Sequence, residues 1–301
     1  MSRALRWAVV CAVASSAACR CSRSAADAGA VAPTVLLLDA GAAPRAPLVY
    51  DFVKPPRPFS SVSQTGRLVL RGLFQGDDVY TPALAVAWAP AGDAGWRLEH
   101  VELLSDEKVP EERRRVLAEL NRKLEGREVE AAVGPHGELA LRLPAAYDGA
   151  EERALGELRR LLALQLTAPL PLEPVGLGAR WSRTVVLPLD AAPRAAVTFE
   201  YTLTDRTGTS IDLAVAARLS GEPQPAPLDP RVTVSQLEGQ GRGRIVRLLD
   251  EVTPVVSELE LEATMTLELP DAGSGYKLVV KTRDLMQAAR LGPLDWEEPA
   301  P

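Results

Sequence analysis

The chain of 301 residues is poor in the residues on which most chemistry depends. Its three cysteines, Cys11, Cys19 and Cys21, all precede residue 22, so nothing beyond them can form an internal disulfide. An exported domain without disulfides must be large enough to bury a core of its own. His100 and His136 are the only histidines, which leaves a histidine-based metal site or a Ser–His–Asp triad almost no material. Aromatic residues make up 5% of the chain, too few for the exposed platforms that base or sugar stacking needs. Positive charge is also short, with 34 Lys and Arg against 40 Asp and Glu, and the run RRR at 113–115 sits inside an acidic helical pattern. A phosphate backbone repels such a surface, so nucleic acid is not an expected partner.

What is present begins at the N-terminus. MSRALRWAVVCAVASSAAC places Arg3 and Arg6 before an uncharged run from Trp7 to Ala18. A basic segment followed by twelve apolar or small residues is too short to cross a bilayer of about 30 Å and reads as a secretory signal. Ser16, Ala17 and Ala18 immediately before Cys19 resemble the lipobox of bacterial lipoproteins, in which cleavage leaves a lipidated cysteine at the new terminus. The resemblance implies lipidation of Cys19; the alternative is ordinary signal cleavage after Ala18. Two or three acyl chains, at about 0.8 kcal/mol per buried methylene, would hold the protein on a membrane permanently. Removal of residues 1–18 takes Arg3 and Arg6 away, leaving 32 basic and 40 acidic side chains, a formal net charge of −8.

Residues 19–60 are expected to be a disordered, Ala- and Pro-rich linker that holds the domain away from the lipid, because few large apolar residues are available to offset its conformational entropy. VLLL at 35–38 is its one apolar island, positioned to dock on the domain or on the membrane. From 61 to 290 a single β-rich domain is expected, with halves at about 61–147 and 170–290 joined by a helix at 150–166, and a tail at 291–301. GRLVLRGLF, PALAVAWAP and WRLEHVELL alternate apolar and polar residues as half-buried strands do, and DAG at 93–95 and 271–273 supplies hairpin turns. PEERRRVLAELNRKLE at 110–125 switches to a helical period, with Val116, Leu117, Leu120 and Leu124 on one face and Pro110 at its start. A second helix at 150–166 aligns Leu155, Leu158, Leu162 and Leu166. REVEAAVGPHGELALRL at 127–143 and VTVSQLEGQGRGRIVRLL at 232–249 both read as strand, glycine-rich turn, strand. The fold class is therefore α+β and predominantly antiparallel β: a curved sheet or half-barrel of about ten strands with two amphipathic helices.

Candidate chemistry is thin. Gly176-Leu177-Gly178 opens a dinucleotide fingerprint, but Trp181 stands where its third glycine belongs and the following residues have strand character. Ser105-Asp106-Glu107-Lys108 matches S-x-x-K, yet Pro110 disfavours the helix that would set serine and lysine face to face, so helix capping is the better reading. His136-Gly137-Glu138 begins a zinc-deaminase signature that no cysteine completes, and Gly134-Pro135-His136-Gly137 reads better as a hairpin turn. The acidic pairs Asp77-Asp78, Asp250-Glu251 and Glu297-Glu298 become an acid and a base only if the fold brings two of them together.

In LPLEPVGLGARW, residues 170–181, Pro171, Pro174, Gly178 and Trp181 form the pattern L-P-x-x-P-V-x-x-G-x-x-W. With the strand–turn–strand and helix before it and the strands after it, the stretch resembles a family of bacterial envelope proteins described only as a domain of unknown function. The resemblance covers about residues 127–270 and implies an exported β-rich domain without a known activity; that family usually has an acidic residue where Ala179 stands. The four residues are expected to form a structural joint, in which proline ends the second helix, glycine permits the turn and Trp181 anchors a strand. The expectation for function is a non-enzymatic, lipid-anchored envelope protein facing the periplasm from the outer membrane, since Arg20 rather than Asp follows the cysteine. It would bind or scaffold an envelope partner, with its lipid anchor in the membrane and no cofactor or metal. The alternatives are a carrier of a lipid or other apolar ligand in the hollow of the sheet and, behind it, a hydrolase.

Overall fold

A computed structural model describes residues 35–54, 57–71, 74–80, 83–91, 95–104, 128–142, 168–187, 194–226, 229–268 and 277–290, with residues 111, 115, 118, 119, 122 and 126. The described residues are built on one curved, open antiparallel sheet of 14 strands. The strands are β1 (Val35–Asp39), β2 (Phe59–Arg71), β3 (Phe74–Tyr80), β4 (Ala83–Ala91), β5 (Gly95–Leu104), β6 (Glu128–Val133) and β7 (Leu139–Arg142). They continue with β8 (Arg180–Leu187), β9 (Ala195–Thr207), β10 (Ser210–Gly221), β11 (Gln224–Ala226), β12 (Asp229–Leu248), β13 (Val256–Glu268) and β14 (Lys277–Arg290). Twelve strands follow the order β1-β8-β9-β10-β12-β13-β14-β2-β4-β5-β6-β7, with β11 beside β12 and β3 beside β2. Strands from the two sequence halves meet where β14 pairs with β2 along its whole length, Leu278 opposite Arg71 through to Arg290 opposite Phe59.

Alternation decides which way each strand faces. In β9, Ala195, Val197, Phe199, Tyr201 and Leu203 are buried; in β10, Ile211, Leu213, Val215, Ala217 and Leu219 are buried, and the residues between them face water. Cross-strand pairs such as Tyr201 with Val215 and Phe199 with Ala217 put these side chains on one inner face. The outer face carries Arg180, Glu200, Asp212, Arg242, Arg244, Glu260 and Arg283, joined by ion pairs. This is the reverse of a membrane-spanning barrel, whose lipid-facing side must be apolar.

The two ends of the strand order are drawn toward each other. The β6–β7 turn lies at one end, and there the carbonyls of Pro135 and His136 accept the amides of Tyr50 and Leu170, each at 2.9 Å. Pro169, next to Leu170, accepts the Trp181 indole N–H of β8 at 2.7 Å, near the other end. The segment 168–170 thus bridges the sheet from end to end.

Three expectations are corrected. Residues 35–54 are not spacer: β1 pairs with β8, Val35 opposite Arg183 and Leu37 opposite Trp181, so VLLL docks on the domain. Behind it, a strap crosses the inner face and buries Leu48 and Tyr50. Prolines make such a segment stiff rather than disordered, and its backbone groups find partners: Ala46 exchanges both hydrogen bonds with Val175, at 3.0 and 3.1 Å. The second correction concerns 232–249, which is no hairpin: all of it but Leu249 belongs to β12, a single strand of 20 residues. Gly239, Gly241 and Gly243 lie on its inner face beside β13, where a Cβ would come within 2.6, 2.6 and 2.1 Å of the carbonyl oxygens of Glu262, Glu260 and Glu258. They serve close approach and curvature rather than reversal. Third, the expected strand count of about ten rises to 14, because β1, β3 and β11 are short additions at edges and beside longer strands.

Of the first expected helix, Glu111, Arg115, Ala118, Glu119 and Arg122 are described, each helical and exposed, as its polar face requires. The second, 150–166, lies outside the described residues, as do the signal segment, Cys19 and the tail at 291–301. The hairpins β4–β5 and β13–β14 pair as the DAG turns predict, Ala91 opposite Gly95 and Glu268 opposite Lys277.

Candidate functional site

The joint at 168–181 is held by burial, hydrogen bonds and close backbone contacts. Trp181 is fully buried, its indole N–H is held by the Pro169 carbonyl, and its ring stacks on Tyr201 with centroids 6.0 Å apart. Gly178 has φ +79, a left-handed conformation that side chains disfavour, and its amide donates to the Leu203 carbonyl at 2.9 Å. Gly176 serves a different need: a Cβ there would stand 1.7 Å from the Ala42 carbonyl oxygen, because the strap lies directly on it. Pro171 is buried and Pro174 exposed. Ala179 is fully buried, so the small residue suits this chain where an acid would have to be desolvated. No phosphate cradle exists here, since the residues after Gly178 enter β8 rather than a helix.

The strap itself was hidden in the sequence. Leu48, Tyr50 and Phe52 recur with period two, and the Tyr50 and Phe52 rings stack 5.2 Å apart, but prolines on both sides mask the pattern. The Tyr50 hydroxyl donates to the Ala168 carbonyl at 3.0 Å and accepts the Ala168 amide at 3.2 Å. Burial raises the Tyr50 pKa, against the pull of the nearby Arg247 guanidinium, so the phenol stays neutral. Arg247 is itself buried, which lowers its pKa; Tyr50 opposes that shift, and Arg247 Nη1 donates to the Val252 carbonyl at 3.3 Å. Beyond Tyr50 the strap is fastened to the β12–β13 turn: Asp51 N–H donates to Leu249, Lys54 N–H to Asp250, and Lys54 Nζ pairs with the Asp250 carboxylate at 2.8 Å. The hydrogen bond from Lys54 holds the Asp250 carboxyl below its usual range.

Inside the curve, Phe199, Tyr201, Val215, Ile245, Leu259 and Met286 line a mostly apolar hollow of about 30 Å³, with Ser257 and Glu258 at its β13 side. That is the share of about one water molecule, whereas ligand pockets run to roughly 300–1,000 Å³. Burial raises the Tyr201 pKa, so this wall too stays uncharged. A larger groove of about 420 Å³ lies on the outer face and is lined by Gln240, Arg242, Glu260, Glu262 and Arg283. There Glu260 accepts from Arg283 Nε at 2.6 Å and from Arg242 Nη2 at 3.4 Å, and the Arg283 hydrogen bond leads in holding its carboxyl low. Both arginines are well exposed, so these pairs orient the surface more than they stabilise it.

The structure separates the other candidate groups. His136 sits in the β6–β7 turn, where its amide donates to Glu138 Oε2 at 3.0 Å, the local bond of a tight hairpin. Asp250 pairs with Lys54, and Glu251 is buried 3.8 Å from Arg57 Nε. Asp77 and Asp78 are on β3, while Ser105–Lys108 and Glu297-Glu298 lie outside the described residues. Among the described residues no three His, Cys, Asp or Glu side chains gather as metal ligands. No family model matches the chain, and no curated protein matches it.

Proposed function

We propose that this is a non-enzymatic lipid-anchored protein of the bacterial cell envelope, held at the outer membrane through Cys19 and facing the periplasm. It acts by binding or scaffolding an envelope partner. The observation that carries the reading is Cys19 itself, preceded by Arg3, Arg6, an uncharged run and three small residues. The central sheet agrees with it: β9 and β10 turn their apolar side chains inward and leave polar or small ones outside, so on this reading the N-terminal segment supplies the anchor. On the same reading the two amphipathic helices at 110–125 and 150–166 pack against the sheet, and the joint motif groups the chain with the exported β-rich proteins it resembles.

Metabolic labelling with an alkyne fatty acid tests the anchor. The wild-type protein should take up label and sediment with membranes, and Cys19→Ala should do neither. A Cys19→Ala chain that remains labelled and membrane-bound overturns the proposal.

One observation favours a second reading, carriage of an apolar ligand: the lining of the inner hollow is apolar throughout β9, β10 and β12. Its volume of about 30 Å³ ranks that reading second, since an acyl chain would require the hollow to widen. Lipid retained by the purified protein in native mass spectrometry would promote it.

A further inference from the structure

We infer that the β1 edge of the sheet rests on the membrane to which the chain is tethered, with Leu36, Leu38 and Leu177 entering the lipid interface; this rests on the Cys19 anchor proposed above. Leu36 and Leu38 are 62% and 44% exposed, on the outer side of a strand whose inner residues, Val35 and Leu37, pack on the core. Leu177 is 52% exposed and adjoins the end of this row, because its carbonyl accepts the Ala42 amide at 2.9 Å. Along β1 the apolar side chains therefore face both ways, unlike β9 and β10, where the outward positions are polar or small. Among the described residues β1 is the end strand, paired only with β8.

The tether selects the occupant. From Cys19 to Val35 the chain advances 16 residues, which span at most about 55 Å when fully extended. A domain that began only after residue 60 would have reached roughly 140 Å at the same rise. Val35 is the first described residue after Cys19, so on the anchor reading β1 is the described strand nearest the lipid along the chain. Charge leans the same way: Arg20 and Arg23 outnumber Asp27 between the anchor and β1, and Arg45 is exposed beside Gly41, whose carbonyl its Nη2 meets at 2.8 Å, while the one acid of β1, Asp39, accepts the Gly41 amide at 2.9 Å. Leucines flanked by arginine form the combination that settles into a headgroup layer containing anionic lipid.

Bimane attached at Leu177→Cys, in an otherwise full-length mature chain with Cys21→Ser and an acylated Cys19, tests the contact. The protein is placed in phosphatidylethanolamine–phosphatidylglycerol vesicles with or without bromine on the acyl chains. Bromine should lower the emission by at least about twofold, as expected for an interfacial probe, and should leave a probe at Glu262→Cys on β13 unchanged. Adding Leu36→Glu and Leu38→Glu should abolish quenching at 177 while the protein still sediments with the vesicles. Equal quenching at 177 and 262 overturns the inference while leaving the anchor intact. Emission that depends on protein concentration and not on bromine also overturns it, in favour of a second copy paired along β1. The intact mass of the same samples reads acylation directly, and an unmodified Cys19 removes the anchor and this inference together.

Discussion

Two glycine-rich stretches, VGLGARW at 175–181 and LEGQGRGRI at 237–245, look alike in composition and do opposite things. In the first, the chain turns: Gly178 takes a left-handed φ of +79, and Gly176 lets the strap lie against the backbone. In the second, the chain does not turn at all, and β12 runs straight through its three glycines. Those glycines alternate with Gln240, Arg242 and Arg244, so every missing side chain falls on the inner face. Spacing separates the cases, since glycines at every second residue of a strand strip one face without bending the chain back, and the bared face lets β13 come close. The joint uses glycine for conformation and contact, whereas β12 uses it for curvature.

Substitutions can break this contrast. The largest effect is expected at the anchor of the joint: Trp181→Ala should cost about 3–5 kcal/mol, read as a fall in urea midpoint, since the ring is wholly buried and its N–H is satisfied. An unchanged midpoint would refute its anchoring role. Gly176→Ala should follow at about 3 kcal/mol, the upper end of overpacking costs, because its Cβ would stand only 1.7 Å from the Ala42 carbonyl oxygen. It should also speed hydrogen exchange at Ala42 and Ala46, which hold the strap to the joint. Gly243→Ala should cost less, about 1–2 kcal/mol, since β12 and β13 can separate slightly beside the inner hollow. Its signature should be altered exchange along β13 with the strap unaffected, and strap exchange that rises equally in both variants would erase the distinction. The smallest effect is expected for Gly178→Ala, about 1 kcal/mol of left-handed strain with no collision, and Gly178→Asn should recover part of it.

The β-rich character was legible because burial follows alternation wherever a strand has one wet face. AVTFEYTLTD and TSIDLAVAARL name their own buried residues, and the structure buries those same positions. The role of Trp181 was legible for a related reason: a large ring between a turn and a strand has little alternative to the core. The strap was not legible. LVYDF carries the period of a strand, but Pro44, Pro47, Pro55, Pro56 and Pro58 around it speak for an open chain, and only the distant carbonyls of Pro135 and Leu249, which accept the Tyr50 and Asp51 amides, resolve the conflict. The long β12 was misread for the converse reason, because glycines promise a turn unless a neighbouring strand occupies the space they leave. Of the candidate site, the joint was visible and the Tyr50–Arg247 contact was not, since those residues lie almost 200 positions apart and share no local pattern.

By itself the sequence determined the antiparallel alternation, the scarcity of histidine and cysteine and the place of the joint. All of these depend on neighbours along the chain, where side-chain period and turn chemistry act. Tertiary structure alone decided that residues 35–54 belong to the fold, that the hollow beside Tyr201 and Ile245 holds only about 30 Å³ and that β1 presents Leu36 and Leu38 outward at the end of the sheet. Those outcomes depend on which backbone segments approach within hydrogen-bonding distance after the sheet has curved, and no local period encodes that approach.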